Sequence, residues 1–477
     1  MTMPAIQFTL ASIDLFERPV QLRLPFRFGV VTLRECPQAF ARVRIRLPDG
    51  RESIGAAAEM MVPKWFDKNL ALSNEDNFAQ LRDVLQQARE AYLSDSSPAS
   101  AFGHFARHYD AHQAACAARG HNPLLAHYGP ALIDRAILDA LCRLQLVSFY
   151  QAMQANLPGI DSQHGLWRDL DIDRFLTTLA PADAIEARHT VGLVDAITAA
   201  DLTHPVNDGL PETLEQVISR YGHRYYKLKV SGDLTLDIER LSAIAAVLDR
   251  AAAPYWVTLD GNEQYESAEQ VGELLTRMRN TARLQRLMAS ILFIEQPINR
   301  HHALEADFRD EALGLPVIID ESDATLDTYL AARARGYRGV SSKTCKGIYK
   351  SVLNAARCAH WNARLAQPGH FILSAEDLTT QAGLAVQQDL ALVNLLGITH
   401  VERNGHHYVN GMAALPKAEQ GAFLQAHPDL YSASDQTVRL AIRDGRIALG
   451  SLACPGFASA AHPDFDAMQA MPSIAVT

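Results

Sequence analysis

From about Ile6 to Ala58, apolar and polar residues alternate with the two-residue period of strands: Ile6-Gln-Phe-Thr-Leu10, then Ala41-Arg-Val-Arg-Ile-Arg-Leu47 before a turn at Pro48-Asp-Gly50. This pattern predicts an antiparallel meander. Two stretches break it and read as loops rich in aromatics, methionine and cations: Leu24-Pro-Phe26-Arg27-Phe28-Gly29 and Glu59-Met60-Met-Val-Pro63-Lys64-Trp65-Phe66. They either pack against a neighbouring domain or cap a pocket. From about Asn77 to Ala155 the period becomes helical, and Ile137, Ala140, Leu141 and Leu144 fall on one stripe of a core-packed helix. Gly159 to Gly165 reads as a linker. Strands followed by helices predict an α+β capping domain over residues 1–160.

Beyond about Arg188, short strands alternate with amphipathic helices such as Asp237–Ala252 and Tyr349–Arg364. The strands begin with His189-Thr-Val-Gly-Leu-Val-Asp195. Five follow between Tyr225 and Cys345, and the last two run from His370 to Glu376 and from His400 to Arg403. About eight strands and seven helices in roughly 215 residues match a β/α barrel, here spanning 185–410. A doubly wound sheet is the alternative, but it gives no reason for so many successive strands to end in charge, and no glycine-rich nucleotide loop accompanies them.

Composition narrows the partners. The chain has 477 residues, 48% of them hydrophobic, enough for a large core and a second domain. Its 44 basic and 54 acidic residues leave a formal charge of −10, which disfavours nucleic acid and anionic membranes and favours a small-molecule ligand. Six scattered cysteines form no CxxC pair, as expected of a reduced, cytoplasmic protein. No apolar run approaches the ~20 residues of a membrane span.

The strand ends carry the chemistry. Asp260, Glu295 and Asp320 close three successive strands, and three carboxylates facing one another at a barrel mouth would repel unless a cation joined them. Oxygen donors without cysteine or histidine point to Mg²⁺, with Mn²⁺ as a substitute. Each acid taken alone is also an ordinary cap or turn residue. Lys227 and Lys229, two apart on one strand, share a face. If that face is the barrel interior, the two ammonium groups depress each other's pKa and offer a neutral base near pH 7. Lys343, at the end of the fifth run, would stand across the barrel from them.

The ordered set Lys227-x-Lys229, Asp260-x-Asn262, Glu295-Gln-Pro, Asp320-Glu321-Ser and Lys343 resembles the enolase superfamily, in its muconate lactonizing and mandelate racemase branches. The resemblance spans nearly the whole chain. It implies a (β/α)7β TIM-like barrel, an N-terminal α+β cap completed by the C-terminal tail (411–477), Mg²⁺, and abstraction of the proton α to a carboxylate to give a metal-stabilised enolate. By the same resemblance Asp260, Glu295 and Asp320 are the metal ligands, with Glu321 the rival to Asp320 because adjacent side chains of a regular strand point opposite ways. Lys229 and Lys343 become acid/base groups on opposite faces, and Lys227 their electrostatic partner. Asn262 supports the metal or touches the substrate. A homo-oligomer is implied on this ground alone.

Departures from the family pattern limit the reaction. Lys346 competes with Lys343, and the seventh strand ends in Glu376 and Asp377 with no histidine base, which favours a branch with lysines on both faces. Racemisation or epimerisation of a small carboxylate leads; cycloisomerisation, acid dehydration and non-catalytic binding on the same scaffold are the alternatives. Glu402 would lie at the rim, where it could touch the substrate, as could Glu321 and Glu376. Adjacent His406 and His407 read as surface loop histidines, as do His301 and His302, which would open a helix after Pro297. A hairpin turning at Asp444-Gly445 would return to the cap. Phe26, Arg27, Phe28, Met60, Lys64 and Trp65 are the specificity candidates, with Arg27 or Lys64 able to pair with a second anionic group.

Overall fold

The computed structural model of the chain describes residues 5–28, 31–161, 165–309, 313–376 and 378–472, with Phe28 and Leu166 by backbone alone. Gly29, Asp377 and the Phe28 side chain lie outside this description.

The opening alternation forms β1 (Thr9–Phe28), β2 (Val31–Arg46) and β3 (Glu52–Met60), an antiparallel meander. Residues 24–28 are not a loop. They extend β1, with Phe26 opposite Leu33 and Arg27 opposite Thr32 after a register shift between Gln21 and Phe26. The alternation of Leu22, Leu24 and Phe26 with Arg23, Pro25 and Arg27 continues through the shift, and Pro25, which has no N–H to donate, lies within the irregular stretch.

Helix Tyr128–Gln145 lies against β3. A Cβ on Gly55 would meet Ala136 O at 2.2 Å, so glycine there permits the close approach. The helix is buried on every side from Tyr128 to Cys142, more than the expected stripe, because an apolar core runs from the cap sheet past it to helices Ile348–Leu365 and Leu384–Leu395.

Eight parallel strands follow: β4 (Ala184–Val191), β5 (Tyr225–Lys229), β6 (Trp256–Asp260), β7 (Ile291–Glu295), β8 (Val317–Ile319), β9 (Gly339–Ser342), β10 (Ile372–Ala375) and β11 (His400–Glu402). β4 starts before the predicted run and ends within it. Hydrogen bonding runs in order from β4 to β10, β11 pairs with β4, and β10 stands beside β11, so the barrel is nearly closed. Arg188 stitches across it, donating to Ser374 Oγ at 3.0 Å and Ala375 O at 2.8 Å. Outward residues such as Leu228, Val257 and Leu259 pack under helices Leu234–Leu248 and Ala268–Asn280.

Helices Leu214–Tyr221, Thr328–Ala334, Ile348–Leu365 and Leu384–Leu395 fill four more links. Between β7 and β8, His301 and His302 are exposed in turns and open no helix among the described residues, since the preceding Arg300 draws this link across the barrel mouth.

The tail corrects one expectation. Its hairpin joins β12 (Tyr431–Ser434) and β13 (Thr437–Leu440); after the turn at Asp444-Gly445, β14 (Arg446–Ala448) runs antiparallel on β4. The tail does reach the cap sheet elsewhere: β15 (Gln469–Ala470) pairs with β1, Glu419 pairs with Arg18 at 2.8 Å, and the Phe465 ring packs against Phe16. No helix among the described residues is long and apolar enough to cross a membrane.

Candidate active site

Register brings the charged strand ends level: Lys229 is opposite Asp260, and Asp260 opposite Glu295. Lys227 and Lys229 face the same way, as their two-residue spacing requires. The Lys229 ammonium is 2.5 Å from Asp260 Oδ2. That of Lys227 lies 2.7 Å from Asp260 Oδ2, 3.1 Å from Glu295 Oε2 and 3.1 Å from Glu402 Oε2, and it also pairs with Glu376. Glu376 continues the chain, since Lys343 is 2.8 Å from its Oε2 and pairs with Asp320 as well.

Burial opposes charge on Lys227, but Asp260, Glu295, Glu402 and Asp320 outweigh it and hold the ammonium pKa well above its ordinary value. The expected mutual depression of the two lysines therefore does not govern Lys227; the carboxylates do. Burial also opposes the charge of Asp260, Asp320 and Glu402, and the lysines nevertheless keep all three below the usual range. Glu295 differs. Burial, with Asp260 and Asp320 nearby, pushes it up to about 7 against the pull of Lys227.

Six buried carboxylates (Asp260, Glu295, Asp320, Glu321, Glu376, Glu402) meet four buried lysines (Lys227, Lys229, Lys343, Lys346) and the guanidinium of buried Arg188, so the acids are in excess. Oε1 of Glu295, Oδ1 of Asn262 and Oε2 of Glu321 are buried without a hydrogen-bond partner, and Oε2 of Glu295 meets the Lys227 ammonium at 3.1 Å. Asp260, Glu295 and Glu376 each offer an oxygen within 4.8 Å of the others. This donor set and charge suit a divalent cation. Asp320, the expected third member, is turned towards Lys343 and Lys346 in this arrangement.

Asp320 and Glu321 are both buried, and the rule that adjacent side chains of a regular strand point opposite ways does not apply to them. The reason is that β8 stops at Ile319, so neither belongs to a regular strand. Gln296 shapes the turn, its Oε1 accepting from the main-chain N–H of Asp320 at 2.7 Å and of Ser322 at 3.1 Å. Lys346 donates to the carbonyls of Asp320 at 2.7 Å and Ser341 at 2.9 Å, which marks it as a brace of this turn. Asn262, Glu263 and Gln296 have φ of 40°, 67° and 33°, left-handed backbone directly after β6 and β7.

The cap supplies an apolar wall. Leu22, Phe26, Leu33, Met60, Val62 and Trp65 face Lys229, Asn262, Glu376 and Glu402 across one cavity. The Trp65 ring centroid is 4.6 Å from the Lys343 ammonium. Lys64 does not join them: its ammonium is taken up by the carbonyls of Asn69, at 2.9 Å, and Leu72. Arg27 is exposed near the end of β1 and is not part of the cavity lining either. Neither supplies the expected cationic contact.

Three further groups carry no local signal in the sequence. Glu263 is buried between Arg300, at 2.9 Å, and Lys68. Arg300 also donates to the carbonyls of Trp65 at 2.9 Å and Phe66 at 3.1 Å, tying the cap loop to the barrel. Glu59 pairs with buried Arg135 at 3.0 Å and accepts from Thr344 and Thr379 beside the site. His406 and His407 are buried, 7% and 3% exposed, not surface loop residues, because the tail and the segment before β5 close over them.

A model of the enolase C-terminal domain-like family matches residues 209–458, more than half of the chain. The chain belongs to that family. Among solved structures, this enolase-superfamily protein is similar to a muconate lactonizing enzyme from Pseudomonas fluorescens complexed with muconolactone (17% identity, 96% of this chain and 98% of that one, TM-score 0.57). It is also similar to a dipeptide epimerase from Enterococcus faecalis complexed with Mg and L-Leu-L-Tyr (12%, 94% and 99%, TM-score 0.59). A third is an enolase from Bradyrhizobium complexed with magnesium and mandelic acid (14%, 94% and 94%, TM-score 0.55). No curated protein sequence matches the chain significantly. At these identities the likeness is one of fold, the barrel and cap of the enolase superfamily.

Proposed function

We propose that the protein is a Mg²⁺-dependent enzyme that removes and replaces the proton α to a carboxylate, acting as a racemase or epimerase. The observation that carries this reading is the position of its lysines. β5 and β9 stand four strands apart in a ring of eight, so Lys229 and Lys343 approach the carboxylate centre from opposite walls. An α-carbon between them would have an amine on each face.

Asp260, Glu295 and Asp320 would hold the Mg²⁺, for which Mn²⁺ could substitute; Glu376, within reach of the first two, is the competing donor. The ion when bound would supply positive charge to a substrate carboxylate and to the enolate formed from it. One lysine, as the neutral amine, accepts the α-proton, and the ammonium of the other returns a proton to the opposite face. Lys227 stays charged among its carboxylates and adds positive potential without moving a proton. Asn262, Glu376 and Glu402 border the substrate, with Glu321 beside Asn262, while the apolar cap wall shields it from water and favours a carboxylate whose far end is apolar.

The same proton abstraction would also begin a cycloisomerisation or an elimination of water, and a muconate lactonizing enzyme of similar fold is complexed with muconolactone. A cytoplasmic homo-oligomer, with a cap over 1–160, a barrel over 185–410 and a tail over 411–477, completes the proposal. Incubation with a library of carboxylic acids in D₂O and Mg²⁺ tests it. Deuterium entering an α-position is the expected result, and a library without exchange overturns the reading.

A further inference from the structure

The outer face of β4 holds a second cluster of metal-ligating side chains. Thr190, on the inner face, contacts Glu402; its neighbour His189 points the other way, behind the barrel wall. There it meets His223, from the segment before β5, and His406, from the short helix after β11. Ring centroids are 5.5 Å apart for His189 and His223, 5.1 Å for His189 and His406, and 4.9 Å for His223 and His406. One nitrogen from each ring lies within 4.8 Å of the other two.

We infer that His189, His223 and His406 form a binding site for a transition-metal ion of the Zn²⁺ class, separate from the carboxylate centre. Three details support it. His223 Nδ1 is 2.9 Å from the carbonyl of Ala187, which fixes its proton there and leaves Nε2, buried and without a partner, aimed into the gap. That ring is only 5% exposed, so an unmet lone pair is costly. His189 Nδ1 and His406 Nε2 lie 3.1 Å apart, a contact that a shared ion would open into two bonds.

Imidazole nitrogens with no carboxylate in the set select Zn²⁺ and its neighbours over Mg²⁺. A cavity of about 230 Å³ borders His406. The ion would pin the first barrel strand, the approach to the second and the exit of the last. It is a clasp at the seam where the ring begins and ends.

The test is zinc binding by the full chain with Mg²⁺ in large excess. About one Zn²⁺ per chain should bind. Its affinity should fall at least tenfold in His223→Gln and in His406→Gln, and persist in Asp260→Ala. X-ray absorption of the zinc-loaded native protein should show three imidazole nitrogens, and this readout needs no variant to fold. The inference is overturned by no zinc uptake, by loss of uptake in Asp260→Ala, by full affinity in both histidine variants, or by a coordination shell with fewer than three imidazoles. None of these outcomes bears on the α-proton chemistry, which deuterium exchange reads separately.

Discussion

Arg300, on the link after β7, donates to the main-chain carbonyl of Trp65 in the cap at 2.9 Å. With the bond to the Phe66 carbonyl at 3.1 Å and the Glu263–Lys68 pair, it connects the part of the chain that carries the acids to the part that covers them. The covering loop places the Trp65 ring against the Lys343 ammonium.

Replacing Arg300 by Met should therefore loosen the cover without unfolding the barrel. Glu263 keeps Lys68 as a partner, so the cost should be below the roughly 3–5 kcal/mol of a fully orphaned buried charge. We expect kcat/KM to fall about tenfold or more, through a misplaced cap loop. Steady-state kinetics and a near-unchanged circular dichroism spectrum would bear this out; unaltered kcat/KM would show that the clamp does not position the loop for catalysis.

Lys229→Ala and Lys343→Ala should each abolish turnover between stereoisomers, with losses on the order of 10² or more. Each should still exchange deuterium with the one isomer whose proton faces the surviving lysine. Mass spectrometry of each resolved isomer after incubation in D₂O checks this. Symmetric residual exchange in either variant would refute the two-face assignment.

Asp260 accepts from both Lys227 and Lys229 and stands beside Glu295. In Asp260→Ala, Mg²⁺ binding by calorimetry should drop below detection, and chelation of the native protein should abolish exchange, not merely weaken substrate binding. Restoration by Mn²⁺ is expected.

Lys350 is buried, and its burial lowers its pKa to about 8 despite the opposing carboxylate of Asp323. The folded state then binds fewer protons than the unfolded one between pH about 8 and the ~10.4 of a free lysine. Stability attributable to this group rises across that window, and the full penalty is present below it. Urea denaturation at pH 7.5 and 9.5 should show the native protein gaining relative to Lys350→Met, by on the order of 1–3 kcal/mol. Parallel pH profiles for the two would count against it.

Much of the site could be read directly from the chain. The two-residue period of a strand puts Lys227 and Lys229 on one face whatever surrounds them. The repeat of strand and helix brings Asp260 and Glu295 to one end of a barrel, because successive parallel strands begin on the same side. These are local rules, and the ordered acids and lysines obey them.

What escaped the sequence depends on which distant segments meet. Asp320 and Glu321 are both buried in the turn that follows the end of β8 at Ile319, where Gln296, just after β7, accepts from the Asp320 N–H. Lys64, a plausible substrate contact by composition, is claimed by carbonyls of its own loop. Glu376 pairs with Lys227 and Lys343 only because the ring closes. His406 and His407 stand in a polar run, yet they are buried because the tail and the segment before β5 close over them. By itself the sequence determined the fold class and the order of the charged strand ends, since periodicity and spacing are properties of neighbouring residues. The partner of each charge, and the three histidines brought together from separate segments, were decided only by the tertiary structure, because burial and pairing are properties of chain segments far apart in sequence.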